Sequence, residues 1–500
     1  MKIVVLGGGI STEREVALVT STSVCKALRS LGHKAIFVDM FMGLENYDGA
    51  LEDAFDVPDG FCGSVAVERK APDLEAVKAA RRLRSPSRLG KNVLEICELA
   101  DCVFLGLHGA DGEDGKIQAA LDLLGVPYTG SGPLSSAMAM DKAVAKRVMD
   151  SYGIRTAPWR EVALVTSTSV CKALRSLGHK AIFVDMFIGL ENYDGALEDA
   201  FDVPDGFCGS VAVERKAPDL EAVKAARKLK SPSRLGKNVL EICELADCVF
   251  LGLHGADGED GKIQAALDLL GVPYTGSGPL SSAMAMDKAV AKRVMDSYGI
   301  RTAPWREVVY GEDDIPDLLD TLPLPCAVKV VNGGSSIGVE LPDTREELEA
   351  ALRNILRYGD RIVVEEKIHG TEVTVPVLGG HCLSPIEIVP PEGSTFDYVA
   401  KYQSGDEGAR EICPARISEK DRQTVCEAAL KFHNALGLSV YSRSDFIIDS
   451  EGRAWCLEVN TLPGMTPNSL IPKAAKLEGL EYPQLCEEII RLSLECKSKK

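Results

Sequence analysis

Two stretches near the end of the chain carry oxygen-bearing side chains among apolar residues. Arg443 and Asp445 lie in the first, Glu458 and Asn460 lie in the second, and a turn at 449–452 separates them. This spacing predicts a β-hairpin with Glu458 and Asn460 on one face, because strand side chains alternate. Carboxylate and amide oxygens of this kind suit Mg²⁺ that also holds nucleotide phosphates. A solvated hairpin face is the alternative, but the flanking FIID and AWCLEV are apolar, which favours a metal site.

A lysine in an apolar stretch precedes a second candidate site. Lys329 is followed by a glycine- and serine-rich loop from Asn332 to Gly338. Free N–H groups and hydroxyls in such a loop can cover phosphates while the lysine neutralises them. A hairpin turn explains the same residues equally well. No GxxxxGK[ST] motif is present, so a P-loop is excluded.

Two further loops precede predicted helices, whose N-termini favour anions. One is Gly7 to Glu13, which follows the first apolar run and also fits a plain tight turn. It does not match GxGxxG, so a dinucleotide site is disfavoured. The other is Thr461 to Leu470, where backbone donors and Ser469 can take a substrate carboxylate or simply cap a helix.

The elements that must position these residues contain a long repeat. Residues 14–162 recur as 160–308 at an offset of 146, and only three of the 149 aligned positions differ. The differences are Met42/Ile188, Arg82/Lys228 and Arg84/Lys230. Discounting one block leaves 354 residues, so the chain is interpreted as an enzyme-sized protein with an extra module.

The second copy is incomplete at its start. At the same offset the strand and loop of Ile3 to Glu13 correspond to Met149 to Trp159. Asp150, Ser151 and Pro158 cannot replace a buried parallel strand in which every N–H must pair. Copy 2 is therefore predicted to lack its first strand.

Each copy alternates strand and helix, which predicts a Rossmann-like parallel sheet with helices on both faces. After residue 308, longer alternating strands predict an α+β region with mostly antiparallel sheets. The predicted domains are an α/β copy 1 (1–132), a duplicated linker (133–159), an α/β copy 2 (160–278), a central subdomain (279–395) and a C-terminal catalytic subdomain (396–500).

Composition argues against nucleic-acid-binding, membrane-spanning and disulfide-rich proteins. The net charge of −18 disfavours nucleic-acid binding. No apolar stretch approaches the roughly 20 residues of a membrane span, so we expect no membrane partner. The 15 cysteines are an odd number without a CxxC pair, which favours reduced core thiols in a cytoplasm over disulfides or a zinc site.

Seven motifs in order carry a family resemblance. They are GGGISTERE, LGLHGADGEDGKIQ, VPYTGSGPLSSAMAMDK, NGGSSIGV, FDYVAKYQ with CPA, SRSDFIID and LEVNTLPGMTPNSL. Together they resemble the D-alanine–D-alanine ligases of bacterial cell-wall synthesis, which have the ATP-grasp fold. The match covers essentially the whole chain once one repeat is discounted.

The resemblance implies an ADP-forming ligase that makes a peptidoglycan precursor. ATP would phosphorylate the carboxylate of one D-alanine, and the amine of a second would attack the acyl phosphate. The implied cofactor is two Mg²⁺ (or Mn²⁺) ions, with ATP and D-alanine as substrates. A homodimer is left open.

The resemblance also implies a role for each matched residue. The metal ligands would be Asp445, Glu458 and Asn460, and the residues around ATP would be Lys288 (or Lys142 in copy 1), Lys329, Ser336, Glu365 at adenine, Glu372 at ribose and Lys401. The residues around the reacting groups and D-alanine would be Glu13, Ser335, Tyr402, Arg443, Gly464, Ser469, Leu470 and His108 or its equivalent His254.

Three questions stay open at this stage. Tyr402 favours D-alanine over D-lactate as second substrate, whereas D-serine is less firmly excluded. An inactive ATP-binding product of the duplication is an alternative to a working enzyme. Because copy 1 has every element and copy 2 lacks a strand and the equivalent of Glu13, we expect copy 1 to serve the active site.

Overall fold

The computed structural model describes most of the chain. The described residues are 1–11, 14–58, 73–109, 111–140, 160–161, 164–203, 227–229, 233–255, 257–332, 338–389 and 410–498.

Copy 1 folds as the predicted α/β unit. Its elements are β1 (Lys2–Gly7), α1 (Arg14–Ser30), β2 (Lys34–Asp39), a 3₁₀ turn (Leu51–Asp56), α2 (Leu74–Ala80), α3 (Val93–Glu98), β3 (Cys102–Leu105), α4 (Lys116–Leu124) and α5 (Pro133–Met140).

The three strands form a parallel sheet in the order β2-β1-β3. β1 is the middle strand, with Val5 opposite both Phe37 and Phe104. Its side chains Val4, Val5 and Leu6 are fully buried, as expected of a parallel strand covered on both faces. The sheet therefore depends on β1 for every strand pairing it has.

Copy 2 does not form the equivalent sheet. Its described elements are β4 (Arg160–Glu161), α6 (Leu164–Ser176), a 3₁₀ turn (Leu197–Asp202), α7 (Val239–Glu244), β5 (His254–Gly255), α8 (Lys262–Leu270) and the short antiparallel pair β4-β5.

The difference is what the sequence predicts if copy 2 lacks a strand equivalent to β1. Segments 180–185 and 248–253, which match β2 and β3 with the two residues after it, form no strand. In copy 1 both strands pair with β1 and not with each other, so removing the middle strand removes both ladders at once. Val184 is half-buried, whereas its equivalent Val38 is buried. The segment that matches β1, residues 149–159, lies outside the described residues, so the predicted lack of a first strand in copy 2 stays a prediction.

The two copies pack against each other through helices α4 and α8. The Arg88 N–H donates to the carbonyl of Leu269 at 2.6 Å, and the Arg234 N–H donates to the carbonyl of Leu123 at 2.5 Å. Arg88 matches Arg234 and Leu123 matches Leu269, so the two contacts are reciprocal. We call this the inter-copy interface. It is isologous, as in a two-fold dimer, although both halves belong to one chain.

Residues 279–498 form the C-terminal region. Its helices are α9 (Pro279–Met286), α10 (Lys288–Tyr298), a 3₁₀ turn (Glu312–Asp314), α11 (Ile315–Thr321), α12 (Arg345–Ile355), α13 (Glu419–Ala435), α14 (Leu470–Leu477) and α15 (Tyr482–Ser498). Its strands are β6 (Trp305–Val309), β7 (Cys326–Val330), β8 (Val339–Glu340), β9 (Arg361–Glu366), β10 (Thr371–Leu378), β11 (His381–Cys382), β12 (Ile386–Val389), β13 (Arg410–Ile412), β14 (Tyr441–Ile448) and β15 (Ala454–Asn460).

These strands form two antiparallel sheets, as predicted. One has the order β6-β9-β7-β8, and the other has the order β13-β12-β10-β14-β15 with β11 beside β10. The chain passes from the first sheet to the second between residues 366 and 371. The boundary predicted at 395/396 lies outside the described residues, and the strands on either side of it, β12 and β13, pair in one sheet.

Neither a membrane helix nor a disulfide is found in the described part of the chain. No described helix is both long and apolar enough to cross a bilayer. Each described cysteine is free, and Cys97, Cys326 and Cys456 are buried. This agrees with the predicted reduced core thiols.

Candidate functional site

The predicted hairpin is formed by β14 and β15. Asp445 lies opposite Glu458, and Arg443 lies opposite Asn460. The Arg443 guanidinium pairs with the Asp445 carboxylate at 3.1 Å, and the Thr374 hydroxyl donates to the same carboxylate at 2.5 Å. The alternation of the strands thus brings two carboxylates and an amide to one end of the hairpin.

This end of the hairpin fits a Mg²⁺ site. The side-chain oxygen of Asn460 is buried and has no hydrogen-bond partner in the described structure. Buried polar atoms ordinarily have a partner, so this oxygen is available to coordinate a cation. Among the described residues no group of three or more His, Cys, Asp or Glu side chains is placed to hold a metal. Mg²⁺ commonly uses one or two carboxylates and takes its other ligands from phosphates and water, so Asp445, Glu458 and Asn460 are a sufficient set.

Lysines from two other elements approach the same place. Lys288, the first residue of α10, pairs with Glu458 at 3.2 Å. Lys329 on β7 is half-buried. Desolvation alone would lower its pKa, but the Glu365 carboxylate, followed by Glu458 and Glu372, raises it. Lys329 therefore stays charged close to the carboxylates of the hairpin.

Glu365 holds two lysines in the structure. Its buried carboxylate pairs with Lys329 at 2.8 Å and with Lys292 at 3.0 Å. Burial alone would raise the pKa of Glu365, but the two ammonium groups lower it below its ordinary value. Its predicted role at adenine stays a prediction; the contacts show that it positions the lysines.

The loop after β15 has the predicted form. Helix α14 begins at Leu470, with Ser469 as its N-cap. The Ser469 hydroxyl accepts a hydrogen bond from the Thr466 N–H at 3.0 Å. A Cβ at Gly464 would lie 3.1 Å from the Ser469 hydroxyl, so Gly464 and Ser469 are neighbours. The loop therefore places backbone N–H groups close to a hydroxyl, and groups of both kinds can donate hydrogen bonds to an anion.

Copy 2 packs closely against the C-terminal region, whereas copy 1 contacts it through α5, which lies against α9. The Ser439 N–H donates to the Ser277 hydroxyl at 3.1 Å, and the Ser439 hydroxyl donates to the Gly276 carbonyl at 3.1 Å. Helix α6 packs on α15. The structure therefore differs from the expectation that copy 1 docks on the C-terminal region, and which copy serves the reaction stays a prediction. Copy 2 continues directly into residue 279, and this short connection favours its docking.

His254 of copy 2 lies in the site, and His108 of copy 1 does not. Burial, followed by the charge of Arg443, lowers the pKa of His254 to about 4, so its imidazole is neutral near pH 7. His108 is half-buried in copy 1, where its carbonyl accepts a hydrogen bond from Ser11. The matched histidines therefore have different surroundings.

Three residues of the site were not singled out from the sequence. Glu259 receives a hydrogen bond from the Gly255 N–H at 2.7 Å and another from the Leu462 N–H. It lies in the HGADGED motif, which was the available signal. Lys292 follows Lys288 by four residues, which places both on one helix face. Thr374 is opposite Asp445 on a neighbouring strand, a pairing that the sequence does not reveal.

Several predicted site residues lie outside the described residues. They are Glu13, Lys142, Ser335, Ser336, Lys401 and Tyr402. Their assignments stay predictions.

Comparison with known proteins gives consistent matches along the chain. The family model for the D-ala D-ala ligase C-terminus matches residues 294–491, and the model for its N-terminus matches twice, at 2–131 and 158–277. The D-alanine–D-alanine ligase of Pediococcus pentosaceus is 38% identical over 336 residues, which cover 66% of this chain and 93% of the relative. The chain belongs to the D-alanine–D-alanine ligase family.

Two other members of the family are also similar. The ligase of Maridesulfovibrio salexigens is 44% identical over 262 residues, covering 52% of this chain and 85% of the relative. A crystal structure of the Bacillus anthracis ligase complexed with ATP is 34% identical, covers 52% of this chain and 84% of that one, and has a TM-score of 0.46. As a D-alanine–D-alanine ligase family member, the chain has the ATP-grasp fold preceded by a duplicated N-terminal region.

Glu259 makes the contact between copy 2 and the C-terminal region dependent on pH. Burial raises its pKa to about 7, although two backbone N–H groups oppose the shift. The folded state thus binds a proton that the unfolded state releases near pH 4.5. The contribution of Glu259 to the free energy of unfolding is fully present below pH 4.5 and is lost as the pH rises through about 7. One pKa unit corresponds to about 1.4 kcal/mol, so the effect amounts to a few kcal/mol.

We therefore expect the Tm of the parent to decrease as the pH rises from about 5 to about 8. The Tm of Glu259→Gln should decrease less over the same range. Thermal melting followed by circular dichroism measures this difference. The matched control is Glu113→Gln, because Glu113 is exposed in copy 1 and should leave the pH profile unchanged. Equal profiles for the parent and Glu259→Gln would contradict the assignment.

Proposed function

We propose that this chain joins two D-alanine molecules to form D-alanyl-D-alanine, converting ATP to ADP and phosphate. The observation that carries the proposal is the cluster of Lys288, Lys329 and Arg443 around the carboxylates of Asp445 and Glu458. Membership of the family, whose curated relatives are 35–44% identical, supports the choice of substrate.

The chemistry of the cluster suits phosphoryl transfer. Such transfer requires positioning and charge neutralisation more than a covalent nucleophile. Lys329, fixed by Glu365, and Lys288 supply positive charge for the phosphates of ATP. When bound to Asp445, Glu458 and Asn460, Mg²⁺ would neutralise charge on the transferred phosphate. These residues would therefore bind the phosphates of ATP and neutralise their charge.

The remaining residues suit the second step, in which an amine attacks the acyl phosphate. Arg443 and the Gly464 N–H would stabilise the oxyanion of the tetrahedral intermediate, and donors of this kind are worth roughly 3–4 kcal/mol each. Ser469 and Leu470, at the start of α14, would hold the carboxylate of the second D-alanine. Neutral His254 lies beside Arg443 and would contact the first D-alanine without adding charge.

The direct test is ADP release with D-alanine, Mg²⁺ and K⁺ present. We expect release that depends on D-alanine and yields the dipeptide. ATP binding without D-alanine-dependent release would favour the alternative of an inactive ATP-binding chain. Stronger stimulation by an equal mixture of D-alanine and D-serine, with a mixed dipeptide as product, would favour D-serine as second substrate.

The matched histidines test which copy serves the active site. We expect His254→Ala to raise the KM for D-alanine about tenfold, equivalent to about 1.4 kcal/mol of binding, because it removes a half-buried imidazole beside Arg443. His108→Ala is the control and should leave KM unchanged at the lowest protein concentration of the assay, where each C-terminal region lies on copy 2 of its own chain. Steady-state kinetics of both variants measure the effect. A rise in KM for His108→Ala alone would show that copy 1 supplies the working site.

A further inference from the structure

The surface by which copy 2 contacts the C-terminal region can be defined residue by residue. We call it the docking face, and in copy 2 it consists of Ala173, Glu259, Tyr274, Gly276 and Ser277, all buried. Its contacts are the Leu462 N–H at Glu259, the Lys497 ammonium over the Tyr274 ring, and Ser439 at Gly276 and Ser277.

Copy 1 carries the same docking face, and among the described residues the contacts that Ser439, Leu462 and Lys497 make are with copy 2. The matched residues are Ala27, Glu113, Tyr128, Gly130 and Ser131, identical in type to those of copy 2. All but Tyr128 are exposed, and Tyr128 is half-buried. The difference in exposure follows from the presence of the C-terminal region on one copy only.

The docking face of copy 1 already has its bound geometry. Glu113 accepts the Gly109 N–H at 2.7 Å, the same distance as between Glu259 and Gly255. Thr129 accepts the Leu105 N–H at 3.0 Å, as its equivalent does in copy 2. A surface that is preformed at these positions loses little conformational entropy on binding.

We propose that the docking face of copy 1 binds the C-terminal region of a second copy of this chain. The occupant is identified by sequence identity, because the face that Ser439, Leu462 and Lys497 recognise on copy 2 is repeated on copy 1. Two molecules that exchange C-terminal regions form a domain-swapped dimer, in which each region lies on the partner's copy 1.

The exchange costs little because the C-terminal region meets the same side chains in the closed monomer and in the swapped dimer. Domain swapping is a low-cost route to dimers for this reason. The described residues of copy 2 also form no parallel sheet, whereas copy 1 has β1 and the glycine loop that follows it. The exchanged arrangement therefore places the C-terminal region on the complete module, and protein concentration favours it over the closed monomer.

A pair of engineered cysteines tests the proposal. Ser131→Cys with Ser439→Cys should give a covalent dimer on mild oxidation, and its yield should rise with protein concentration. The matched control is Ser277→Cys with Ser439→Cys, in which the two side chains already lie together within one chain and should give a covalent monomer. Mass measurement without reductant distinguishes the two products, and peptide mapping identifies the link among the native thiols.

Two outcomes would overturn the proposal. One is the absence of a 131–439 link at every concentration while the 277–439 link forms. The other is a 131–439 link within a monomer, which would mean that each chain moves its own C-terminal region between its copies. Neither readout depends on catalytic activity, so the result is independent of the proposed ligase function.

Discussion

Glu458→Gln is expected to abolish D-alanine ligation, with a fall in kcat on the order of a thousandfold or more. Glu458 faces Asp445 across the hairpin and pairs with Lys288 at 3.2 Å. Removing its charge leaves Asp445 as the one carboxylate of the proposed metal site, beside the amide of Asn460. The charge is lost where negative charge moves during phosphoryl transfer. ADP release with D-alanine measures the loss.

The fold should survive this substitution, because glutamine is isosteric and two facing carboxylates repel each other. Tm should therefore stay close to that of the parent. Glu451→Gln is the matched control: Glu451 is exposed at the turn of the same hairpin, where it pairs with Arg453. Turnover like that of the parent in Glu458→Gln would contradict the metal assignment.

Joining Glu13 directly to Arg160 is expected to give an active chain of 354 residues that is at least as stable as the parent. The deletion restores GGGISTEREVA at the junction and places β1 next to the module that packs on the C-terminal region. With its middle strand present, segments 180–185 and 248–253 can form the sheet seen in copy 1. Each backbone hydrogen bond gained is worth about 1 kcal/mol, so the docked module should gain several kcal/mol.

The same deletion should change the oligomeric state. It removes α4, which covers α8 in the parent, and exposes an isologous surface that can pair with a second chain. Sedimentation should show a concentration-dependent dimer, and calorimetry should show the loss of any early unfolding transition that belongs to the incomplete copy. An insoluble or inactive product would mean that the two copies depend on each other for folding.

The sequence predicted the hairpin and its loop well because the information there is local. Alternation along β14 and β15 is enough to place Asp445 opposite Glu458, and the small residues after β15 predict the start of α14. The parallel order of copy 1 and the antiparallel sheets of the C-terminal region follow from similar patterns.

The contacts that sequence patterns missed are all between distant segments. Glu365 appears in the sequence only as a carboxylate on a strand; its pairing with Lys292 and Lys329 joins three elements. The choice between copies could not follow from composition either, because their sequences are nearly identical. Which copy docks depends on chain connectivity. From the sequence alone, the strand that copy 2 is predicted to lack carries more weight than its short connection to the C-terminal region.

The inter-copy interface has a consequence for how the protein responds to dilution. An ordinary two-fold dimer separates as its concentration falls, because association is bimolecular. Here both halves of the interface are joined in one chain, so pairing of the copies is unimolecular and its equilibrium does not depend on concentration. The duplication has fixed two N-terminal modules together even where the protein is present as a few molecules per cell.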